Sequence, residues 1–260
     1  MRIIVCIKQV PDTSQVRIDP KKGTLIRQGV PSIINPEDKH ALEEALRIKE
    51  RCQGEVTVVT MGPPQAEKAL REALAMGGDR AVLLTDRAFA GSDTHATAQV
   101  LAAAVRKIRD WDLVLCGRQA IDGDTAQVGP QLAEYLGVPQ VTYACKLHLE
   151  DGCLVAERAL EDGFEKVKTR LPALVTVTEE INSPRYPSIR GIVQAVKMEI
   201  ITWNSRDLGI EQGQAGLDGS PTKVNKTYTP KPRGEGEVIP GSPGEAARAL
   251  LARLRERKVI

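Results

Sequence analysis

The sequence has no excess of charge of either sign, because its 36 lysine and arginine residues nearly balance its 34 aspartate and glutamate residues. Its formal net charge is only +2, whereas proteins that bind nucleic acid or anionic lipid usually present a basic surface. No apolar run approaches the ~20 residues that a membrane-spanning helix requires. Composition therefore predicts no nucleic-acid partner and no direct membrane insertion.

The N-terminus lacks the features of a secretory leader. Residues 1–8 form a short apolar stretch that already carries Arg2 and Lys8, and a signal peptide needs a longer apolar region before its cleavage site. We expect this stretch to be the first strand of a soluble, cytoplasmic protein.

Patterns typical of metal sites and of covalent catalysis are also missing. The five cysteines include no Cys-x-x-Cys pair, and the three histidines lie far apart. This predicts no disulfide framework and no metal site. The sequence also contains no Gly-x-x-x-x-Gly-Lys-Ser/Thr run and no Gly-x-Ser-x-Gly turn, so a hydrolase or a nucleotidyl-transfer enzyme is a weak interpretation.

The first half of the chain alternates between strand-like and helix-like patterns. Short apolar runs rich in β-branched residues are typical of strands buried on both faces, and they fall at residues 3–10, 56–60, 81–85 and 113–116. Between them, apolar residues recur at helical spacing in residues 38–51, 65–76 and 92–109. This order predicts an α/β fold, a Rossmann-like domain built on a parallel sheet.

The second half has a different organisation. After Pro139 the extended segments 140–149, 154–160, 165–171 and 173–178, with turn glycines at Gly152 and Gly163, predict antiparallel strands that complete the sheet. Residues 205–245 contain too few large apolar side chains to fold alone, and an amphipathic helix is expected at 246–257. We therefore predict a domain at residues 1–204 and an extended arm at 205–260. The arm is either disordered or, as we favour, laid against another chain.

The most informative segment is Gly-Arg-Gln-Ala-Ile-Asp-Gly-Asp-Thr-Ala-Gln-Val-Gly-Pro-Gln at residues 117–131. It links an apolar strand to a helix, and glycines at such a crossing let the backbone approach a ligand. The free amides of the helix N-terminus, aided by its dipole, favour an anion, and Thr125 offers a hydroxyl. The alternative is an ordinary tight turn capped by Asp124 or Thr125.

Two carboxylates in this loop bear on what it can hold. Asp122 and Asp124 would repel a bare phosphate, although Arg118 and the helix dipole would offset part of their charge. These carboxylates can accept hydrogen bonds from ribose hydroxyls. The loop therefore suits a whole nucleotide better than a phosphate alone.

Together with three other segments, this loop makes the chain resemble the β subunit of electron-transfer flavoproteins over essentially its whole length. Four ordered segments carry the resemblance, which makes it far more specific than a single glycine loop. They are residues 5–11 with 35–38 (Val-Cys-Ile-Lys-Gln-Val-Pro and Asn-Pro-Glu-Asp), residues 117–131, residues 158–167 continuing to 172–176, and residues 182–192.

The resemblance implies a nucleotide-binding subunit that pairs with a larger, flavin-carrying α subunit. The adenine nucleotide is FAD in the bifurcating branch of the family and AMP in the housekeeping branch, where it is structural. The positions that match the family's binding segments are Cys6, Asn35, Pro36, Glu37, Asp38, Met61, Gly117, Arg118, Gln119, Ala120, Ile121, Asp122, Gly123, Asp124, Thr125, Ala126, Gln127 and Val128.

The form of the loop resembles the bifurcating branch more than the housekeeping one. In that branch the FAD accepts a hydride from NADH, and the electrons divide between a high-potential acceptor and ferredoxin or flavodoxin. The chain would then be the NADH-oxidising subunit of an oxidoreductase complex, with no catalytic side chain of its own. The alternative is an AMP-binding scaffold or regulatory subunit without a redox cofactor.

A second segment of the resemblance, residues 184–195, matches the family's partner-recognition loop. It implies that Arg185, Tyr186 and Ile189 contact an acyl-CoA dehydrogenase or a quinone-reductase type flavoprotein, with Ile189 as the apolar anchor. By residue chemistry alone, Ile189 could equally be tucked inward beneath a surface connection.

Overall fold

The computed structural model describes residues 1–12, 17–18, 25–26, 31–211, 213–225, 236 and 238–260. They belong to two compact units, Met1–Asn225 and Lys226–Ile260. The strands are β1 (Arg2–Cys6), β2 (Gln9–Pro11), β3 (Arg17–Ile18), β4 (Leu25–Ile26), β5 (Ser32–Ile34), β6 (Glu55–Met61), β7 (Arg80–Leu84), β8 (Leu113–Gly117), β9 (Gln140–Glu150), β10 (Cys153–Leu160), β11 (Gly163–Arg170), β12 (Ala173–Val177) and β13 (Ile200–Trp203). The helices are α1 (Pro36–Cys52), α2 (Glu67–Met76), α3 (Thr94–Ile108), α4 (Val128–Leu136), α5 (Ile189–Lys197) and α6 (Pro243–Glu256).

The first unit is built on a nine-stranded sheet in the order β11-β10-β9-β12-β8-β1-β6-β7-β13. The pairs from β9 to β13 are parallel, and β9, β10 and β11 pair antiparallel. This confirms the predicted α/β class with a mainly parallel sheet. Helices cover both faces, as parallel sheets require because their strands must be shielded from water on each side.

Alternation along the central strands divides the core into two layers. Ile3 and Val5 of β1 face α1 and α2, in the layer that contains Leu42. Ile4 and Cys6 face the other side, where α3 and α4 pack. Successive side chains of a strand point to opposite faces. The last two residues of each central strand therefore lie in different core layers.

One strand differs from the sequence prediction. The segment at residues 173–178 was expected to join the antiparallel hairpins, but β12 inserts between β8 and β9 and runs parallel to both. All its residues, Ala173–Val177, are buried. Two-sided burial is typical of a central parallel strand, whereas the alternating charges that predicted the hairpin belong to β11 at the sheet edge.

The first unit extends beyond the predicted domain boundary at residue 204. Two carboxylates of the α/β core bind the backbone that follows β13: Asp86 accepts hydrogen bonds from the Ser205 amide at 3.0 Å and Asp93 from the Thr222 amide at 2.9 Å. Ala215 and Ser220 are buried in the same unit. The compact unit therefore ends at Asn225, because these side-chain acceptors, together with the packing of Leu208, Ile210 and Ala215 against the core layer of α3, hold the segment on the α/β core.

The second unit contains α6, in agreement with the amphipathic helix expected at 246–257. Ser242 and Glu245 form a capping box at its start, with the Ser242 amide donating to Glu245 Oε2 at 2.8 Å, a pairing that satisfies the first free amides of a helix. Part of the predicted arm, residues 226–235 and 237, lies outside the described residues. None of the described helices is both long enough and apolar enough to cross a bilayer.

Candidate functional site

A cavity of about 440 Å³ opens at the carboxyl ends of β1 and β8. Among the strands of this sheet, β6 follows β1 in the chain and lies toward the β13 edge. The chain after β8 passes through α4 to β9, which lies toward the β11 edge. The connections thus diverge between these two strands, which leaves a crevice above their carboxyl ends. Ligands of open α/β sheets bind at such a switch point, and volumes of this size are typical of small-molecule sites.

Most of the residues singled out from the sequence lie on the wall of this cavity. They are Cys6, Asp38, Met61, Gly117, Arg118, Gln119, Ala120, Gly123, Thr125, Ala126, Gln127 and Val128. Asn35, Pro36, Glu37, Ile121, Asp122 and Asp124 are not among the wall residues. We call the whole loop at residues 117–129 the loop wall, because most of its residues line the cavity.

The first turn of α1 holds the loop wall from behind. Asn35 Nδ2 donates to Gln119 O at 2.8 Å, and Asn35 Oδ1 accepts from the Ile121 amide at 3.0 Å. Glu37 Oε2 accepts from the Gln119 amide at 2.8 Å. Asn35 and Glu37 therefore satisfy backbone groups of the loop, and they shape the cavity without lining it.

Asp38 connects the loop wall to β1. Its Oδ2 accepts from the Lys8 amide at 2.7 Å and its Oδ1 from the Gly117 amide at 3.1 Å. Burial raises the pKa of Asp38 to about 7, against the effect of these amide donors. Position 117 has to be glycine, because a Cβ there would lie 2.4 Å from Asp38 Oδ1.

The charges of the loop are paired differently from the sequence expectation. Arg118 was expected to offset Asp122 and Asp124, but it pairs with Glu37 at 2.7 Å. Lys8 forms the ion pair with Asp122, also at 2.7 Å, and Asp124 accepts from the Gln119 side chain. Since Lys8 precedes the loop by more than a hundred residues, only the fold brings this pair together.

Sequence reasoning missed the opposite wall of the cavity. It is formed by the start of α3, with Ser92, Asp93, Thr94 and Thr97, and by Thr222 from the segment that follows β13. We define residues 92–97 with 220–222 as the cap wall. The Ser-Asp-Thr sequence at residues 92–94, which follows a strand and begins a helix, could have indicated the carboxyl edge of the parallel sheet. No sequence pattern around Thr222 indicates that it lies at the cavity. Ile7, Lys8, Leu101, Cys116 and Gly129 complete the missed wall residues.

The two helices that begin at the cavity are capped differently. Asp93 caps α3, its Oδ1 accepting from the Ala96 amide at 3.0 Å and its Oδ2 from Thr222. At the start of α4, no side chain of the described residues caps the helix at Gln127. Thr94 Oγ1 donates to Gln127 Oε1 at 3.1 Å and joins the two helix starts. The α4 terminus thus keeps backbone donors for a ligand.

The segment at residues 184–197 presents an apolar surface. Ile189 starts α5 and is 84% exposed, and Tyr186 is 94% exposed, so Ile189 is not tucked inward. Arg185 is paired within the chain, since its Nε pairs with Glu43 at 2.8 Å and its guanidinium also binds Glu50. These hydrogen bonds raise the pKa of Arg185. Arg185 therefore fixes the segment to α1.

Comparison with known proteins identifies the family. The electron transfer flavoprotein domain matches residues 22–208. The chain is 58% identical to electron transfer flavoprotein subunit beta of Thermoanaerobacterium thermosaccharolyticum, over 100% of both chains. It is 52% identical to subunit CarD of the caffeyl-CoA reductase-Etf complex of Acetobacterium woodii, again over 100% of both. It is 48% identical to protein FixA of Azorhizobium caulinodans, over 99% of this chain and 95% of FixA.

The match covers well over half of the sequence, and the relatives align along its full length. The matched residues 22–208 include most strands of the nine-stranded sheet, the loop wall and α5. The chain therefore belongs to the electron transfer flavoprotein family, in its β-subunit branch.

Proposed function

We propose that this chain binds FAD in the cavity between the loop wall and the cap wall and, joined to an α subunit, carries electrons by flavin-based bifurcation. The observation that carries the proposal is the convergence of an uncapped helix N-terminus, a glycine-containing loop and a row of hydroxyls on one cavity. Relatives named as part of a caffeyl-CoA reductase complex and as FixA support the electron-transfer role.

The donors on the cavity wall fit a nucleotide. The amides at the start of α4 and the Thr125 hydroxyl suit a phosphate group, and Ser92, Thr94 and Thr97 add hydroxyls on the facing wall. Gly123 leaves open space, since a Cβ at this position would have no described atom within 4 Å. The apolar part of the wall, including Met61 and Leu101, suits a planar ring system.

The residues of the chain bind and orient, and the redox chemistry belongs to the cofactor. A bound flavin supplies hydride acceptance and one-electron transfer, and the protein sets its position and its electrostatic surroundings. The loop wall, fixed by Asn35, Glu37 and Asp38, holds its amides in place before the ligand arrives. A preorganised site of this kind lowers the cost of ordering on binding.

The test is nucleotide content after acid extraction of the full chain co-purified with its α subunit. We expect two FAD per heterodimer and reduction of the β-subunit flavin by NADH. Gly123→Val should remove about one FAD without unfolding the chain, because the space at Gly123 is open. The matched control is Gly163→Val on the β10–β11 turn, which also has open space and should keep both flavins.

AMP-only binding is the second candidate, because a cavity of about 440 Å³ lies toward the lower end of the size range of small-molecule sites, and AMP is smaller than FAD. Extraction of AMP with a single FAD would overturn the FAD proposal. It would leave the chain as a subunit whose nucleotide is structural.

We further propose that the exposed face of α5 docks a partner dehydrogenase or reductase. Ile189, Ile192, Val193 and Val196 are all at least 50% exposed, and an apolar anchor can contribute a few kcal/mol to an interface. Ile189→Asp should slow electron delivery to the partner about tenfold, because the new charge would have to be desolvated. Flavin content should not change. Phe164→Asp, at a residue 72% exposed on β11, is the control for an added surface charge.

A further inference from the structure

Two cysteines lie side by side in the cavity wall. Cys6 ends β1, and the parallel register with β8 places Cys116 directly beside it. Both belong to the core layer that contains Ile4 and Val114, and both line the cavity. In-register neighbours of adjacent parallel strands project to the same face, so the two thiols share one environment.

The geometry suits a covalent bridge. Adjacent strands lie about 4.8 Å apart, inside the Cα separation of about 4.4–6.8 Å that disulfides require. The Cys116 thiol is within hydrogen-bonding reach of Cys6, and this contact together with burial raises the pKa of Cys116. Cys116 is therefore a neutral thiol at physiological pH, and both cysteines are free thiols in this structure.

The strand ends that carry these thiols also hold the loop wall. Cys116 directly precedes Gly117, and Lys8 follows Cys6 by two residues. The amides of Gly117 and Lys8 bind the two oxygens of Asp38. A bond between the two sulfurs would shorten their separation and reorient both side chains, and this change acts on the two strand ends that Asp38 connects.

We propose that Cys6 and Cys116 form a redox-active dithiol site, and that its oxidation to a disulfide and the binding of a nucleotide in the cavity exclude each other. The exclusion rests on the proposed function, because it requires a nucleotide at this site; the dithiol does not. The oxidant is a peroxide. One thiol, as thiolate, attacks the O–O bond of hydrogen peroxide and becomes a sulfenic acid, with release of one water after proton transfer. The second thiol attacks that sulfur, which forms the S–S bond and releases a second water.

The first experiment treats the full chain, with Cys52→Ser to remove the exposed thiol, with hydrogen peroxide. Remaining thiols are alkylated in denaturant and the peptides are analysed by mass spectrometry. We expect a crosslink between the peptides of Cys6 and Cys116, absent in Cys6→Ser and in Cys116→Ser. AMP at ten times its dissociation constant leaves about one site in eleven empty, so it should slow crosslinking about tenfold.

The second experiment tests proximity without oxidation. Phenylarsine oxide bridges two neighbouring thiols through two S–As bonds and releases one water. We expect one equivalent bound per chain, lost in Cys6→Ser or Cys116→Ser and retained in Cys145→Ser. Cys145 is the matched control because it is also buried, with its thiol donating to Glu157 O at 3.2 Å.

The outcomes separate this inference from the proposed function. Oxidation of Cys6 to a sulfinic acid without a crosslink, or no arsenical binding, would overturn the dithiol site even if the nucleotide binds. Equal crosslinking rates with and without AMP would overturn the exclusion. Calorimetry of AMP binding tests the nucleotide site separately: no heat of binding together with an intact crosslink would contradict the nucleotide site while the dithiol stands.

Discussion

The loop wall and the cap wall face the same cavity, yet they use carboxylates in opposite ways. In the cap wall, Asp93 sits at the N-terminus of α3 and occupies the amides that a ligand would otherwise use. In the loop wall, Asp38 and Glu37 stand behind the backbone, and the start of α4 has no side-chain cap among the described residues. We therefore propose that the phosphate of a bound nucleotide lies on the α4 side.

A carboxylate at a helix N-terminus is stabilising whether it belongs to the protein or to a ligand. The α3 terminus has its own, so a ligand phosphate there would meet repulsion from Asp93. The α4 terminus leaves this interaction to the ligand. The two helix starts at the cavity thus differ, one capped by the protein and one open to a ligand. Two changes test the framework of the loop wall, and two further changes test this difference directly.

The largest effect concerns Asp38, on which the loop wall depends. Burial raises its pKa from 3.8 to about 7, so between these pH values the folded chain holds a proton that the unfolded chain has released. Its contribution to the free energy of unfolding therefore falls as pH rises from about 4 to about 7, by up to about 4 kcal/mol. Chemical denaturation across this range, in wild type and Asp38→Asn, measures it. Parallel curves for the two proteins would contradict the assignment.

The next effect concerns the contact between α4 and the sheet. A Cβ on Gly129 would lie 2.3 Å from Thr176 Cγ2, so Gly129→Ala should destabilise the fold by about 1–3 kcal/mol. Thr176→Ser removes that methyl group and keeps the hydroxyl that accepts from the Tyr143 amide at 3.1 Å. In that background Gly129→Ala should be neutral, or stabilising by up to about 1 kcal/mol. Equal losses in both backgrounds, measured by thermal unfolding, would argue against this contact.

Removing the Asp93 side chain should leave the N-terminus of α3 without a side-chain cap, as the start of α4 is among the described residues. Asp93→Ala should cost about 1–2 kcal/mol of stability and speed hydrogen exchange at the Thr222 amide. Asp93→Asn keeps a good capping residue but removes the charge, so it should cost less and bind AMP more tightly. If Asp93→Asn instead weakens AMP binding, the Asp93 carboxylate accepts a hydrogen bond from the ligand, and the proposed repulsion of a phosphate at the α3 terminus is wrong.

The smallest effect concerns the Lys8–Asp122 ion pair, whose side chains are 47% and 34% exposed. Lys8→Gln should change stability by less than about 1 kcal/mol, because exposed pairs are weak, while lowering AMP affinity in a salt-dependent way. The control is Arg2→Gln, which breaks a similar exposed pair with Asp110 at the opposite edge of the sheet. Both variants should lose little stability, and only Lys8→Gln should change AMP binding in a titration at two salt concentrations.

Much of the fold could be predicted because its signals are local. The runs at residues 56–60 and 81–85 became β6 and β7, and the helical spacing at 38–51 became α1, with bounds that differ by one or two residues. The loop at residues 117–131 was readable for the same reason, since a strand, a glycine turn and a helix start follow one another in the chain. Twelve of the residues singled out for nucleotide contact lie on the cavity wall.

The alternation of elements, the loop and the family resemblance were predictable, because each depends on residues that are close in the chain or on their order. Three features emerged only in the folded chain: β12 enters the middle of the sheet, Thr222 and the start of α3 face the loop, and Cys6 lies beside Cys116. These depend on which strand ends become neighbours. Strand order is set by burial of apolar faces over long sequence separations, and no local pattern encodes it.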